Sequence, residues 1–236
     1  MNDKLHKHNF NKTVCLMGLQ GSRMLGLNQK NDADWDYRGV FIEDHIKLLS
    51  LDKPKETIEF GSYGDNEEEF VFHEVEKFFR LALKGNPSVL HLFFLPKYEI
   101  KTDVGQEILA NKDIFLGETP IRKAFAGYAK SQIEYLKRNG KFNRGKKTDA
   151  KVKKHIRHCF RLFDAGKELL ETGNMTLPLQ NPQYYIDIAE NGDIDTWYKL
   201  FNKKDKEFKR VKSCLSQYPN KEAANYLLLK IRRVAR

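Results

Sequence analysis

Apolar residues along the chain follow two different spacings, which predict strands in the first part and helices in the second. Short apolar or alternating runs predict β-strands at residues 14–19, 34–42, 57–60 and 69–73. Residues 22–27 have the pattern of a short helical segment, and helical spacing predicts a longer helix over residues 74–84. The glycine, asparagine and proline at residues 85–87 would end that helix, and Ser88 is a candidate cap for a short helix at residues 89–94.

From residue 97 onward the apolar spacing is mostly helical. Helices are predicted at residues 121–138, 149–172, 195–216 and 221–235. Cys159 falls on the apolar stripe of the second of these helices, so it is predicted to be a core residue. We therefore expect an α/β (α+β) fold. A head with a small mixed sheet would occupy residues 1–105, and a helical bundle would occupy residues 106–236.

Two acids flank a tryptophan at the start of the predicted strand over residues 34–42. Side chains two positions apart on a strand point to the same face, so Asp34 and Asp36 would present two carboxylates together. Two carboxylates and the phosphates of a substrate are a usual set of Mg2+ ligands. Asp32 has the same parity but lies at the end of a loop, which makes it a weaker candidate. Together with the glycine–serine turn that precedes it, the pair indicates a metal-dependent enzyme that acts on a nucleoside triphosphate.

A glycine–serine turn precedes the two acids. Gly21 and Ser22 follow an apolar run, and small residues in such a turn let backbone N–H groups approach a phosphate closely. Arg23 and Arg38 have two alternative roles, since each could contact a phosphate or pair with Asp32 or Asp36. For Arg38 we favour the pairing role, because a carboxylate beside it needs to be oriented.

A third carboxylate is required if two cations are to be held. Glu69 opens the predicted strand at residues 69–73 and is the candidate there. Glu67, Glu68 and Glu74 compete with it, and a run of acids is usually a solvated loop.

Composition and charge narrow the class of protein. The chain has 236 residues, 40% hydrophobic and 12% aromatic, with three scattered cysteines and no apolar run long enough to cross a membrane. A cytoplasmic protein is expected. The net charge is +10, and residues 121–236 are rich in lysine and arginine. A basic half of this kind favours a polyanionic partner such as RNA, although a solubilising basic surface has the same composition.

Basic residues also gather on one side of the predicted helix at residues 149–172. They lie about a third of a turn from its apolar stripe and comprise Lys151, Lys154, His155, His158 and Arg161. Turned towards a cleft, they would grip the triphosphate or the acceptor's phosphates. The alternative is an exposed basic stripe. Zinc binding is rejected because no third ligand accompanies the two histidines at a suitable spacing.

The motif around the acids resembles that of a known superfamily. Gly-Ser followed by two acids around an apolar residue is the signature of the DNA polymerase beta-like nucleotidyltransferases. The longer strings at residues 21–27 and 34–42 resemble one branch, the predicted nucleotidyltransferases associated with RNA repair, which large phages also carry. If a phage encodes the chain, the expected compartment is the host cytoplasm. Further similarity lies at residues 69–79, 85–87, 154–162 and 170–173.

The resemblance implies site residues and cofactors. Gly21 and Ser22, with Arg23 beside them, would bind the triphosphate, while Asp34, Asp36 and Glu69 would bind two Mg2+ ions, with Mn2+ as an alternative. The branch usually has Asp at position 69, so Glu69 is a departure from its pattern.

The expected reaction moves NMP from an NTP to a hydroxyl group and releases pyrophosphate. The acceptor expected from the charge is RNA, either a tRNA or an RNA end, with Arg38, Lys154, His158 and Arg161 as candidate phosphate or acceptor contacts. Transfer to a protein or a small molecule is the alternative within enzymes. A nucleotide-binding regulatory module without turnover and a nucleic-acid-binding protein with a structural acid pair are the alternatives outside them. The sequence leaves the oligomeric state open.

Overall fold

A computed structural model describes residue 10 and residues 12–27, 34–51, 53–61, 67–139 and 146–234. Asp32 lies outside these ranges. Five strands form one mixed sheet in the order β3-β4-β2-β1-β5. The strands are β1 (Thr13–Leu19), β2 (Trp35–Ile42), β3 (Thr57–Gly61), β4 (Glu68–Glu74) and β5 (Ile100–Lys101). The α/β (α+β) class and the small mixed sheet predicted from the sequence are confirmed.

Short helices connect the strands, and longer helices fill the second half. Those of the first half are α1 (Gly21–Leu25), α2 (His45–Leu49), α3 (Val75–Leu83), α4 (Pro87–Leu90) and α5 (Asp103–Ala110). Two 3-10 turns, His91–Phe94 and Lys112–Phe115, lie before and after α5. The second half contains α6 (Glu118–Asn139), α7 (Lys146–Thr172), α8 (Pro182–Asn191), α9 (Ile194–Arg210) and α10 (Lys221–Val234). No helix in the described ranges is long and apolar enough to span a membrane.

Strand directions bring the sequence motifs together at one end of the sheet. β1 runs antiparallel to β2, so Leu19 at its end pairs with Tyr37 near the beginning of β2. β2 and β4 run parallel, and Asp36 is the register partner of Glu69. The glycine–serine turn after β1 and the acids that begin β2 and β4 are therefore neighbours.

The two faces of the sheet pack against different partners. Tyr37, Phe41, Phe70 and Phe72 belong to an aromatic cluster on one face, where the rings of Tyr37 and Phe70 stack 5.0 Å apart. Val40 and the other β2 residues of its parity face the main core, which continues into the helices. Asp36 shares the parity of Val40, so the acids lie on the face that the helices cover.

The core is continuous between the head and the helical half. One cluster of buried residues contains sheet positions such as Leu16 and helix positions such as Phe160 and Ile231. α10 returns to the head, where Arg232 donates to the Glu74 carboxylate at 2.6 Å. The domain boundary at residues 105 and 106 stays a prediction.

At two helix ends the structure shows a capping contact that the sequence pattern did not indicate. The cap before α4 is Asn86, not Ser88, because the Asn86 side chain accepts from the backbone N–H of Ser88 at 3.0 Å. The helix predicted over residues 195–216 ends at Arg210. There Arg122 of α6 donates to the Phe208 carbonyl at 2.8 Å and also to the Val211 carbonyl. A side chain of α6 therefore satisfies the carbonyls at the end of α9.

Candidate active site

Carboxylates from two parallel strands lie side by side at the beginning of β2 and β4. Asp34, Asp36 and Arg38 share one face by strand alternation, and Glu69 is directly across from Asp36 in the register. Glu68 pairs with Trp35 and belongs to the opposite face. The register therefore distinguishes Glu69 from its neighbour, which the run of acids in the sequence could not do.

Arg38 connects the carboxylates of the two strands. One terminal nitrogen donates to Glu69 Oε1 at 2.9 Å, and the other lies 3.9 Å from Asp36 Oδ1. The Arg38 side chain is 28% exposed and that of Asp36 is 23% exposed, so this pair is partly shielded from water. The interaction with Asp36 is the one that the sequence favoured for Arg38, and the bond to Glu69 is additional.

The surroundings of Asp36 disfavour the charged form of its carboxyl group. Burial raises the pKa of the Asp36 carboxyl, the Arg38 guanidinium opposes this rise, and Glu69 and Asp34 add to it. Lys154 of α7 also lowers the pKa of Asp36, so the helical half contributes positive charge to this end of the sheet. A perturbed carboxyl among several charges is typical of a functional site.

Gly21 packs its backbone against the Asp36 carboxylate. A Cβ atom at position 21 would lie 1.9 Å from Asp36 Oδ2, and the Gly21 φ of +70° is one that residues with side chains rarely adopt. The neighbouring Gln20 N–H donates to the Asp36 carbonyl at 2.7 Å, which fixes the turn on β2. Ser22 follows in α1, where its carbonyl accepts from the Leu27 N–H at 2.9 Å.

Arg23 is placed differently from the acids. Its guanidinium lies over the Trp35 ring, 4.1 Å from the ring centroid. Trp35 alternates with Asp34 and Asp36 and so belongs to the other face of the strand. A nucleotide-binding role for Arg23 stays a prediction.

Arg161 and His158 do not form part of an exposed basic stripe. Arg161 is buried and 5% exposed; its two terminal nitrogens contact His91 Nε2 at 2.9 Å and His158 Nδ1 at 2.8 Å. Burial lowers the pKa of Arg161 to about 10 and that of His158 to about 3, and it also lowers the pKa of His91. Both histidines are therefore neutral acceptors for a charged guanidinium. His91 lies in the head, before the helical half begins, so the contact between Arg161 and His91 connects α7 to the head.

The other basic residues of α7 lie nearer the surface. Lys154 is exposed, and His155 contacts Gln132 of α6 at 2.6 Å and stacks on Tyr135 with ring centroids 3.9 Å apart. Lys151 places its ammonium group 5.4 Å from the Tyr135 ring centroid. Of the basic residues predicted on this helix, Lys154 is thus the one that acts on Asp36.

Comparison with known proteins identifies the family. The RNA repair pathway DNA polymerase beta family (RlaP) matches residues 2–214. The chain belongs to this family. It is a DNA polymerase beta-like nucleotidyltransferase of an RNA repair pathway family, as the motif predicted. No protein of curated function matches the sequence. A solved nucleotidyltransferase-like protein from Exiguobacterium sibiricum 255-15 is 10% identical, with 99% of this chain and 72% of that chain covered at a TM-score of 0.34.

The acids of this family member are chemically suited to a divalent cation. Carboxylate oxygens are the donors that Mg2+ prefers, and the absence of a side chain at Gly21 leaves room for the Asp36 carboxylate itself. Within the described ranges, no three His, Cys, Asp or Glu side chains converge closely enough to hold a metal ion. Arg38 holds the Glu69 carboxylate instead, and a cation would compete with it. The ligand set of Asp34, Asp36 and Glu69 stays a prediction.

Gln20 is a polar residue of this region that the sequence did not single out. It is 5% exposed, and its buried Nε2 has no hydrogen-bond acceptor in the described part of the chain. A buried donor without an acceptor is costly, and one next to Gly21 is suited to an oxygen of a ligand. Nothing in the sequence pattern marks it, because Gln20 simply follows the apolar run of β1.

Replacing Gly21 by alanine is expected to lower nucleotidyl transfer by about a hundredfold or more, because the new methyl group displaces the Asp36 carboxylate. Gly26→Ala is the matched control. Gly26 has a φ of +75°, so alanine adds similar backbone strain, but its nearest neighbour is Pro182 at 3.4 Å. Transfer rates and melting temperatures should be measured for both variants. Equal losses of activity would show that only backbone strain matters and not the contact with Asp36.

Proposed function

We propose that the chain transfers NMP from an NTP to a hydroxyl group of RNA and releases pyrophosphate. The observation that carries the proposal is the register of the sheet, in which Asp36 lies beside Glu69 and beneath the backbone of Gly21. Carboxylates from adjacent strands next to a small-residue turn suit the binding of a triphosphate with its cations.

Each residue has a distinct role in this proposal. Gly21 and Ser22 would present backbone N–H groups to the triphosphate, and Asp34, Asp36 and Glu69 would hold Mg2+. The cations, when bound, supply charge neutralisation at the reacting phosphate and at the leaving pyrophosphate. Arg38 orients the carboxylates through its contacts with Glu69 and Asp36.

Positive charge from α7 would assist the same reaction. Lys154 is exposed and acts electrostatically on Asp36, so it is placed to contact phosphate groups that enter the site. Arg161 contacts both His158 and His91, and it is buried. We therefore assign phosphate contact to Lys154, and we assign to Arg161 and His158 the positioning of α7.

RNA as the acceptor is supported by the family and by the charge of the chain. The family that matches residues 2–214 is described as an RNA repair pathway family. The net charge of +10 favours a polyanionic acceptor over a cationic small molecule. Transfer to a protein remains the second candidate, because an exposed hydroxyl of a protein offers the same nucleophile.

The experiment that tests the proposal uses the purified chain with each α-labelled NTP, Mg2+ and total RNA. The parent protein is expected to label RNA and to release pyrophosphate, and Asp34→Ala/Asp36→Ala is expected to do neither. Label on protein would move the assignment to the second candidate. Absence of label from every macromolecule, with all four NTPs, would overturn nucleotidyl transfer.

A further inference from the structure

A groove of about 880 Å³ lies between the beginning of α6, the end of α3 and the segment before α10. Its surface combines two aromatic rings with two prolines: Tyr128 is 41% exposed, Tyr218 is 62% exposed, and Pro120 and Pro219 lie beside them. Gly127 forms part of the floor, where an added Cβ would meet no atom within 4 Å. None of these residues belongs to the carboxylate site described above.

Three lysines line the same groove, and no acidic residue does. Lys84, Lys123 and Lys221 are all exposed. The ion pairs found among the described residues include none of these three lysines, whereas nearby Arg122 is paired with Glu118 at 2.7 Å. The groove is thus an aromatic surface with an uncompensated positive rim. Such a surface complements a ligand with flat apolar faces and negative charges.

One side of α6 runs from this groove to a contact with α7, the helix that carries Lys154. Pro120, Ala124, Tyr128, Ser131 and Tyr135 succeed one another at spacings of three or four residues, so they share one side of the helix. This stripe is roughly 22 Å long at 1.5 Å per residue. At its far end Tyr135 stacks on His155, which is adjacent in sequence to Lys154, the residue that acts on Asp36.

We propose that this groove binds a single-stranded segment of the RNA acceptor, with bases stacked on Tyr128 and Tyr218 and phosphates on the three lysines. The inference rests on the proposed function, for which it supplies the acceptor-binding surface. Stacking on exposed aromatic rings requires unpaired bases, which single strands offer and duplexes do not. An apolar protein segment fits the groove less well, because it would cover three ammonium groups without providing counter-charges.

Fluorescence anisotropy with a labelled, unstructured RNA of about 12 nucleotides tests the proposal, since single-strand sites span roughly 4–16 nucleotides. Lys84→Gln/Lys123→Gln/Lys221→Gln is expected to weaken binding at least about 30-fold at low salt. It should also reduce the slope of log K against log salt by about 2, or about 0.7 for each lost phosphate contact. Lys55→Gln/Lys101→Gln/Lys206→Gln replaces three exposed lysines outside the groove and should leave both values unchanged.

The aromatic residues have matched substitutions of their own. Tyr128→Leu and Tyr218→Leu are each expected to weaken binding about tenfold, whereas Tyr128→Phe and Tyr218→Phe keep the stacking surface and should bind as the parent does. Gly127→Phe fills the floor without removing charge, and glycine contributes little to helix stability, so this variant should fold and bind RNA poorly.

The outcomes separate the groove from the chemistry. The inference is overturned if every groove variant binds RNA like the parent, which is also the result expected if the groove holds a protein segment. It is overturned as well if the parent binds no RNA. If the parent transfers NMP to RNA and the groove variants keep its KM for RNA, the groove is again excluded while the proposed function stands. If groove variants lose RNA binding but the parent transfers no NMP, the groove stands and the proposed function falls.

Discussion

Replacing Asp36 by asparagine is expected to lower the rate of nucleotidyl transfer by about a thousandfold or more, with little change in stability. The carboxylate lies next to the backbone of Gly21 and across from Glu69, where a cation and the triphosphate would be bound. Loss of one charged ligand at such a site removes stabilisation that is greatest in the transition state. Burial already disfavours the charge of Asp36 by raising its pKa, so a neutral residue of the same shape should be tolerated in the fold.

Asp44→Ala is the control, and we expect it to lower stability without lowering the rate of transfer. Asp44 caps α2, where its side chain accepts from the Ile46 N–H at 2.8 Å. Its loss should cost about 1 kcal/mol of stability and leave transfer unchanged. Initial rates with α-labelled NTP and unfolding in urea should be measured for both variants. If Asp36→Asn retained more than about a tenth of the parent rate, the central role of this carboxylate would be wrong.

Acidification is expected to destabilise the protein steeply from about pH 6.5 downward. Burial depresses the pKa of His91 and lowers that of His158 to about 3, against 6.5 for an unperturbed histidine. The unfolded chain therefore binds more protons than the folded chain in this window, so the stabilisation is complete above pH 6.5 and declines as the pH falls towards 3. Each histidine contributes up to about 1.4 kcal/mol per pH unit to this decline.

The buried cluster around Arg161 is the structural reason for this sensitivity to acid. A protonated His91 or His158 could no longer accept from the guanidinium, and it would place a second positive charge beside it. His158→Gln keeps an acceptor that does not titrate in this range, and it should reduce the slope of unfolding free energy against pH by up to about 1.4 kcal/mol per pH unit. His45→Gln, at the surface in α2, is the control. An identical slope in the parent and in His158→Gln would show that this cluster does not determine acid sensitivity.

The arrangement of the acids shows what the sequence could predict. Alternation alone placed Asp34 and Asp36 on one face, because side-chain direction in a strand depends only on parity. Four glutamates competed for the position of the third acid, and the choice depends on the register between strands that are some thirty residues apart. Only the pairing of Asp36 with Glu69 distinguishes that residue from Glu68.

Features that depend on a second element were less predictable. The side of α7 that carries Arg161 and His158 was predicted to be exposed or to face a cleft, but α7 packs against α6, α8 and α9 and the head supplies His91. The spacing of apolar residues identifies one buried side of a helix. It does not detect a second buried side that is made of polar residues. The end of α9 at Arg210 depends in the same way on Arg122, a side chain of α6.

The third carboxylate is where the account can be tested most directly. Glu69 is 54% exposed and bonded to Arg38, so it is either a functional ligand or only the partner of that arginine. The decisive measurement is the Mg2+-dependent rate of NMP transfer in Glu69→Asp and Glu69→Gln, with Glu68→Gln as the control on the opposite face. We predict that Glu69→Asp and Glu68→Gln keep most of the parent rate and that Glu69→Gln loses about a hundredfold or more. A Glu69→Gln protein with the parent rate would contradict the three-carboxylate site.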